Sequence, residues 1–253
     1  MTFRHKSSSM TQYSAGLVRR KTDEQKAVVD GLFEALAKCS LAGSGITRDT
    51  YGPGEDCAHR VIAKHALDLG LEVRVDAAAN TYVTLPGKHR DRPKVIIGSH
   101  LDSVPNGGNF DGAAGVVAGL TSLAVLSSLG FEPECDVTIM GVRAEESVWF
   151  QVSYIGSRSA LGSLPANAMQ MRRIDTKRTL ESHIRDSGGD PDAIVDGKIE
   201  LDPAQVRAFL ELHIEQAPSL VEAGVPVAVG AGIPGNFRYA SARVLGRYDH
   251  VGT

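Results

Sequence analysis

A chain of 253 residues, 42% hydrophobic and 23% charged, has the make-up of an ordinary globular protein, long enough for one large domain or for one domain and the start of another. A formal net charge of -3, spread along the chain, gives no electrostatic reason for nucleic acid or an anionic membrane as partner, and no apolar run approaches the roughly 20 residues that span a bilayer. The three cysteines, Cys39, Cys57 and Cys135, are odd in number and lack CxxC spacing, so they read as buried free thiols in a reducing, cytoplasmic setting.

The opening segment, residues 1–20, is basic and serine-bearing without an apolar run, and reads as a flexible leader. Val28, Val29, Leu32, Phe33 and Leu36 then recur at helical spacing, with Thr22 as the expected N-cap. A second helix is predicted from Glu55 to Leu69, stopped by Gly70, followed by a strand pair in "LEVRVDAAANTYVTLPG". "KVIIGSH" and "DVTIMGV" are short and almost wholly apolar, as strands buried on both faces are, and "GAAGVVAGLTSLAVLSSLG" between them reads as a helix. The strand–helix–strand order predicts an α/β fold, with a mixed or mainly parallel sheet carrying helices on both faces. Further on come a helix near "YIGSRSALG", a polar surface segment from Ile174 to Pro203, and a strand in "FLELHIEQ". "VPVAVGAGI" and "FRYASARVLGRYDH" read as two last strands.

Three clusters carry chemistry. In "GSHLDSVPNGGNFDGAAG", His100 closes an apolar strand, where ligands of open α/β sheets collect, and Asp102 lies two positions on, facing the same way. A carboxylate there fixes the imidazole tautomer and leaves the other nitrogen for a metal. Asp111 follows on a glycine-rich loop that can fold back to the strand end. Taken alone, Asp111 caps the next helix and His100 is a core histidine; together at one loop they point to a metal site. In "VTIMGVRAEESVWF", Glu145 and Glu146 follow the other buried strand, where diverging neighbours can serve as metal ligand and general base. In "LELHIEQAP", alternation places His213 on the polar face of a strand, where an exposed histidine with no ligand role is an equally good reading, and Gln216 follows. Imidazole and oxygen ligands without thiolate suit zinc, manganese, cobalt or nickel, and a bridging carboxylate suits a pair of ions.

The ordered segments "GSGITRDTYGPGEDCA", "GSHLDSVPNGGNFDGAAGVVAGL", "AEES", "ELHIEQAPSLVEAG" and "GRYDHVGT" resemble the hydantoinase/carbamoylase branch of the M20 metallopeptidase-like amidohydrolases. That branch includes N-carbamoyl-L-amino-acid hydrolases, β-ureidopropionases and allantoate amidohydrolases. The resemblance implies a Zn-exopeptidase-like catalytic domain over 21–225 and the start of a small α+β lid and dimerisation domain over 226–253. It implies two divalent ions, zinc or else manganese, cobalt or nickel, with His100 and His213 on one, Glu146 on the other and Asp111 bridging. Glu145 would be the general base, Asp102 the orienter of His100, and Gln216 and His250 substrate contacts. The substrate would be a small linear amide or ureido compound and the full-length protein a homodimer. Ordinary peptide or acyl-amino-acid hydrolysis, and an inactive metal-binding relative, are the alternative expectations. Family members continue far beyond the "HVGT" segment, so the resemblance implies a further histidine ligand and a substrate-binding arginine outside this chain, and a sheet edge left uncovered. "EESVWF" departs from the family's "EEGSRF", placing bulkier side chains near the expected metal.

Overall fold

In a computed structural model of the chain, the described residues are 13–41 and 43–232, with Arg243 and Gly246. Two compact units divide it, Met1–Ile214 and Glu215–Thr253. The first is built on a five-stranded sheet in the order β1-β2-β4-β3-β5. Its strands are β1 (Glu72–Val75), β2 (Thr81–Leu85), β3 (Lys94–His100), β4 (Val137–Val142) and β5 (Val206–Leu210). β1–β2 and β2–β4 pair antiparallel, and β4–β3 and β3–β5 pair parallel, so the sheet is mixed, as expected.

Period-two alternation gives the sheet two apolar faces. Val83 and Ile139 join one core cluster with α2 (Lys26–Lys38), α3 (Pro53–Asp68) and α4 (Ala113–Ser128). The neighbouring residues Tyr82 and Met140, with Ile96, form another cluster that includes Ala160 of α5 (Ile155–Ala160). Helices therefore lie on both faces. α4 packs very close, because a side chain at Gly115 would meet the Leu212 carbonyl oxygen at 2.4 Å and the Ser99 Cβ at 2.7 Å.

Several local expectations shift. The first helical region is two helices, α1 (Ala15–Asp23) and α2, so Thr22 lies inside a helix and Ser14 is the cap, its hydroxyl accepting from Leu17 N. Residues 15–20, read as leader, are thus helical. The stretch after Ile174 is more than a polar surface: α6 (Leu180–Asp186) and α7 (Pro191–Val195) bury Leu180, Ile184 and Ile194 against Tyr51, Trp149 and Phe150. β5 ends at Leu210, so His213 follows the strand rather than lying in it. β5 is also the sheet edge, with Phe209 and Leu210 exposed. Cys39 and Cys57 form a disulfide, contrary to the expectation of free thiols; Cys135 alone is free, and buried. The pairing was illegible because it joins the C-cap of α2 to the first turns of α3 across a looping segment, with no spacing motif.

In the second unit, α8 (Ser219–Ala223) is held at its start by Glu215 Oε2, which accepts from Leu220 N. Residues 225–232 form no strand, and Val227 and Val229 are exposed. Apart from Arg243 and Gly246, the strand expected in "FRYASARVLGRYDH" lies outside the described residues, as does His250 within it. No helix among the described residues is long and apolar enough to cross a membrane.

Candidate metal centre

The parallel run β4–β3–β5 sends three strand ends to the same edge of the sheet, and each is followed by one of the three clusters. His100 is the last residue of β3, paired with Val142 at the end of β4. Glu145 and Glu146 lie just beyond β4, and His213 just beyond β5. The loop after β3 returns Asp111 between them: Asp111 Oδ1 is 3.7 Å from His100 Nε2 and 3.3 Å from His213 Nε2. Ligand atoms of His100, Asp111 and His213 fall within 4.8 Å of one another, as do those of His100, Glu145 and Glu146. His100 belongs to both groups. Only glycine fits at position 112, where φ is +61° and a Cβ would lie 2.5 Å from the His100 ring.

Asp102 is fully buried and does more than face His100. His100 Nδ1 is 3.0 Å from the Asp102 main-chain carbonyl oxygen and 3.4 Å from carboxylate Oδ1. The carboxylate accepts from Thr50 Oγ1 at 2.6 Å, and from Glu145 N and Glu146 N at 3.1 Å each. One residue thus ties the β3 loop to the β4 loop. His213 differs: its side chain is 35% exposed, and its Nδ1 reaches only the carbonyl of the next residue, Ile214, at 2.9 Å.

The charge balance favours a cation. Burial and the neighbouring Asp102 and Glu145 carboxylates push Glu146 up to about 7, and burial also raises Glu145. For His100, burial opposes protonation, but Asp102, Glu145 and Asp111 outweigh it and lift the ring to about 9. Carboxylates crowded against His100 are a donor set suited to a divalent ion, which would neutralise them together. The residues present fit the metal expected from their types.

Sequence reading missed the support beneath this site. Arg48, fully buried, donates from Nε to Leu101 O at 2.7 Å and from a terminal nitrogen to Asn109 Oδ1 at 2.9 Å, clamping the loop that carries Asp102 and Asp111. Thr50 and Glu55 belong to the same segment, 40–56, which the Cys39–Cys57 bond closes. The signal was the quoted "GSGITRDTYGPGEDCA", which carried no ligand-type pattern. Trp149 and Phe150 are turned into the second core, with Trp149 Nε1 donating to Ser103 O at 3.2 Å. Within "EESVWF", Trp149 and Phe150 are therefore core packing, while Val148 is exposed.

Residues 80–181 match the family described as peptidase family M28, a span that contains His100, Asp102, Asp111, Glu145 and Glu146 and stops short of His213. The chain is 35% identical over 208 residues to an N-carbamoyl-L-amino acid amidohydrolase of Geobacillus stearothermophilus, covering 82% of this chain and 50% of that protein. It is also 31% identical to allantoate deiminase 2 of Glycine max, over 88% of this chain and 46% of that one. A solved hydantoinase/carbamoylase family amidase from Burkholderia ambifaria superposes with a TM-score of 0.70 at 28% identity, over 81% of this chain and 49% of its own. Over its described part the chain is similar to amidohydrolases of the hydantoinase/carbamoylase family. It spans about half the length of the curated relatives it matches. Its sheet, with three chemical clusters at neighbouring strand ends, is the fold of the family's amidases.

Proposed function

We propose that this chain supplies the metal-binding part of a hydrolase that cleaves linear amide or ureido C–N bonds, with N-carbamoyl-L-amino acids or allantoate-type compounds as substrate. The observation that carries the reading is the convergence of His100 and His213 on one Asp111 oxygen, with Glu145 and Glu146 against the same His100. In this reading His100 and His213 would hold one divalent ion and Glu146 another, with Asp111 shared between them. Bound divalent ions supply Lewis acidity and lower the pKa of water toward neutrality. Zinc is the proposed metal, with manganese, cobalt or nickel as substitutes.

Glu145 is proposed as general base, taking the proton of the attacking water and returning it to the leaving nitrogen. Burial raises its pKa, the direction that makes the carboxylate a stronger base. The Asp102 carbonyl and carboxylate receive the His100 Nδ1 proton and direct Nε2 toward the ions. Gln216 and His250 are assigned to the substrate amide and carbonyl on motif resemblance alone. The division into a catalytic domain over 21–225 and a lid from 226, and a homodimeric full-length protein, rest on the same resemblance. The Cys39–Cys57 disulfide counts against the free-thiol argument from which a cytoplasmic location was expected.

The match to a peptidase family over residues 80–181 favours a second reading, hydrolysis of ordinary peptide or acyl-amino-acid bonds. Incubating the zinc- or manganese-loaded protein with an N-carbamoyl-L-amino acid, allantoate and a dipeptide separates the two. Cleavage confined to the dipeptide overturns the first reading, and undiminished turnover after Glu145→Gln removes Glu145 as base.

A further inference from the structure

Three consecutive main-chain N–H groups beyond β4 converge on two buried carboxylates. Ala144 N donates to Glu55 Oε1 at 2.8 Å, Glu145 N to Asp102 Oδ1 and Glu146 N to Asp102 Oδ2, both at 3.1 Å. Ala144 has φ +56°, a conformation that a non-glycine residue adopts only where surroundings impose it. Glu55 is fully buried, and its other oxygen accepts from Tyr51 N at 2.6 Å, with Arg143 Nη1 3.4 Å away. Glu55 is in neither group of candidate ligands.

A helix could be capped far more cheaply than by burying a carboxylate within reach of another one's charge. Asp102 is among the main causes that, after burial, push Glu55 up to about 8. A buried polar group needs hydrogen-bond partners, and those of Glu55 include the Tyr51 N–H and the N–H of Ala144, whose φ is positive.

We propose that Glu55 is a positioning residue for the metal centre: by holding the Ala144 N–H it sets the peptide planes from which the Glu145 and Glu146 side chains diverge. The proposal rests on the two-ion reading given above. Glu55 acts through the main chain and touches no ion. Its loss therefore falls on the ion held by Glu146, while the ion held by His100, Asp111 and His213 keeps its ligands.

The test is cobalt titration of the full 253-residue chain, followed by calorimetry and by visible absorption, for the unmutated protein and for Glu55→Gln. The Gln amide keeps one acceptor but turns an NH2 toward a main-chain N–H. The expected result is a second cobalt equivalent weakened by about 10- to 100-fold, with an altered spectrum, and a first equivalent changed by less than about threefold. Leu36→Ala, a core truncation away from the site, controls for general destabilisation and is expected to leave both equivalents in place. Equal binding of both ions by Glu55→Gln, or equal weakening of the second by Leu36→Ala, overturns the proposal and leaves the metal reading standing. Where the unmutated chain, which lacks the further histidine ligand that the family resemblance implies, takes up fewer than two equivalents, the hydrogen exchange described next decides the proposal. Should Glu55→Gln not fold, hydrogen exchange on the unmutated protein decides: the Ala144 amide is expected to be protected, and rapid exchange there overturns the proposal.

Discussion

The two sides of the candidate metal centre are built differently. On one side, His100 at the end of β3 and Asp111, Glu145 and Glu146 on the following loops are tied down by Asp102, Arg48, Thr50 and Glu55, all but Glu145 and Glu146 buried. On the other, His213 follows an edge strand whose Phe209 and Leu210 side chains are exposed, and its Nδ1 bonds to the carbonyl of its own neighbour. The braced side is held by the protein's own buried contacts, whereas the edge side gives His213 fewer of them. Buried polar groups cost free energy unless every one is satisfied, so bracing concentrates stability on the first side.

The contrast can be broken most forcefully at Arg48. Arg48→Met leaves the Leu101 and Asn109 oxygens without their donor and removes the buried cation near Asp102, Asp111 and Glu55. Denaturant unfolding is expected to show a loss of about 3–5 kcal/mol. Opening the Cys39–Cys57 bond, by Cys39→Ser or by reductant, frees the segment that supplies Arg48, Thr50 and Glu55. A loss of about 2–4 kcal/mol in thermal or denaturant melts is expected, and an unchanged melt would separate the bracing from the disulfide.

Proton linkage sharpens the comparison at smaller scale. His100 holds its proton up to about pH 9, and metal binding must displace it, so affinity falls on acidification. Below about pH 9 the loss is expected to be about tenfold per pH unit, or about 1.4 kcal/mol, steepening below about 7, where Glu146 also takes up a proton. Calorimetric titrations at several pH values, with the protons released counted from buffer heats, check both slopes. The smallest effect belongs to the edge side: His213→Ala is expected to change the stability of the metal-free chain by less than about 0.5 kcal/mol while weakening metal uptake. A loss above 2 kcal/mol in the same denaturant assay would show that the edge is as braced as the opposite side.

Much of the site was legible because its signals are local. Strand-end His100, the glycine loop before Asp111, and the Glu145–Glu146 pair after an apolar strand each combine a buried run with a chemical residue type, which needs only neighbours in the chain. His213 was legible as a residue but its strand was not: β5 is a short edge strand, and alternation continues past Leu210 in the sequence although pairing stops there. The strand expected at 225–232 failed for a similar reason, since apolar alternation describes a face but does not provide a neighbour for it.

By itself, then, the order of residues determined the α/β alternation, the strand ends at which chemistry gathers and the identity of the candidate ligands, because hydrophobic period and loop chemistry act over a few residues. Only the tertiary structure decided that the Cys39–Cys57 segment reaches across to hold both ligand loops, that Asp102 takes up two main-chain amides, and that Glu55 meets Ala144. Those contacts join residues separated by 43 to 89 positions, and their free energy comes from satisfying buried polar groups that pack together only after the sheet has formed.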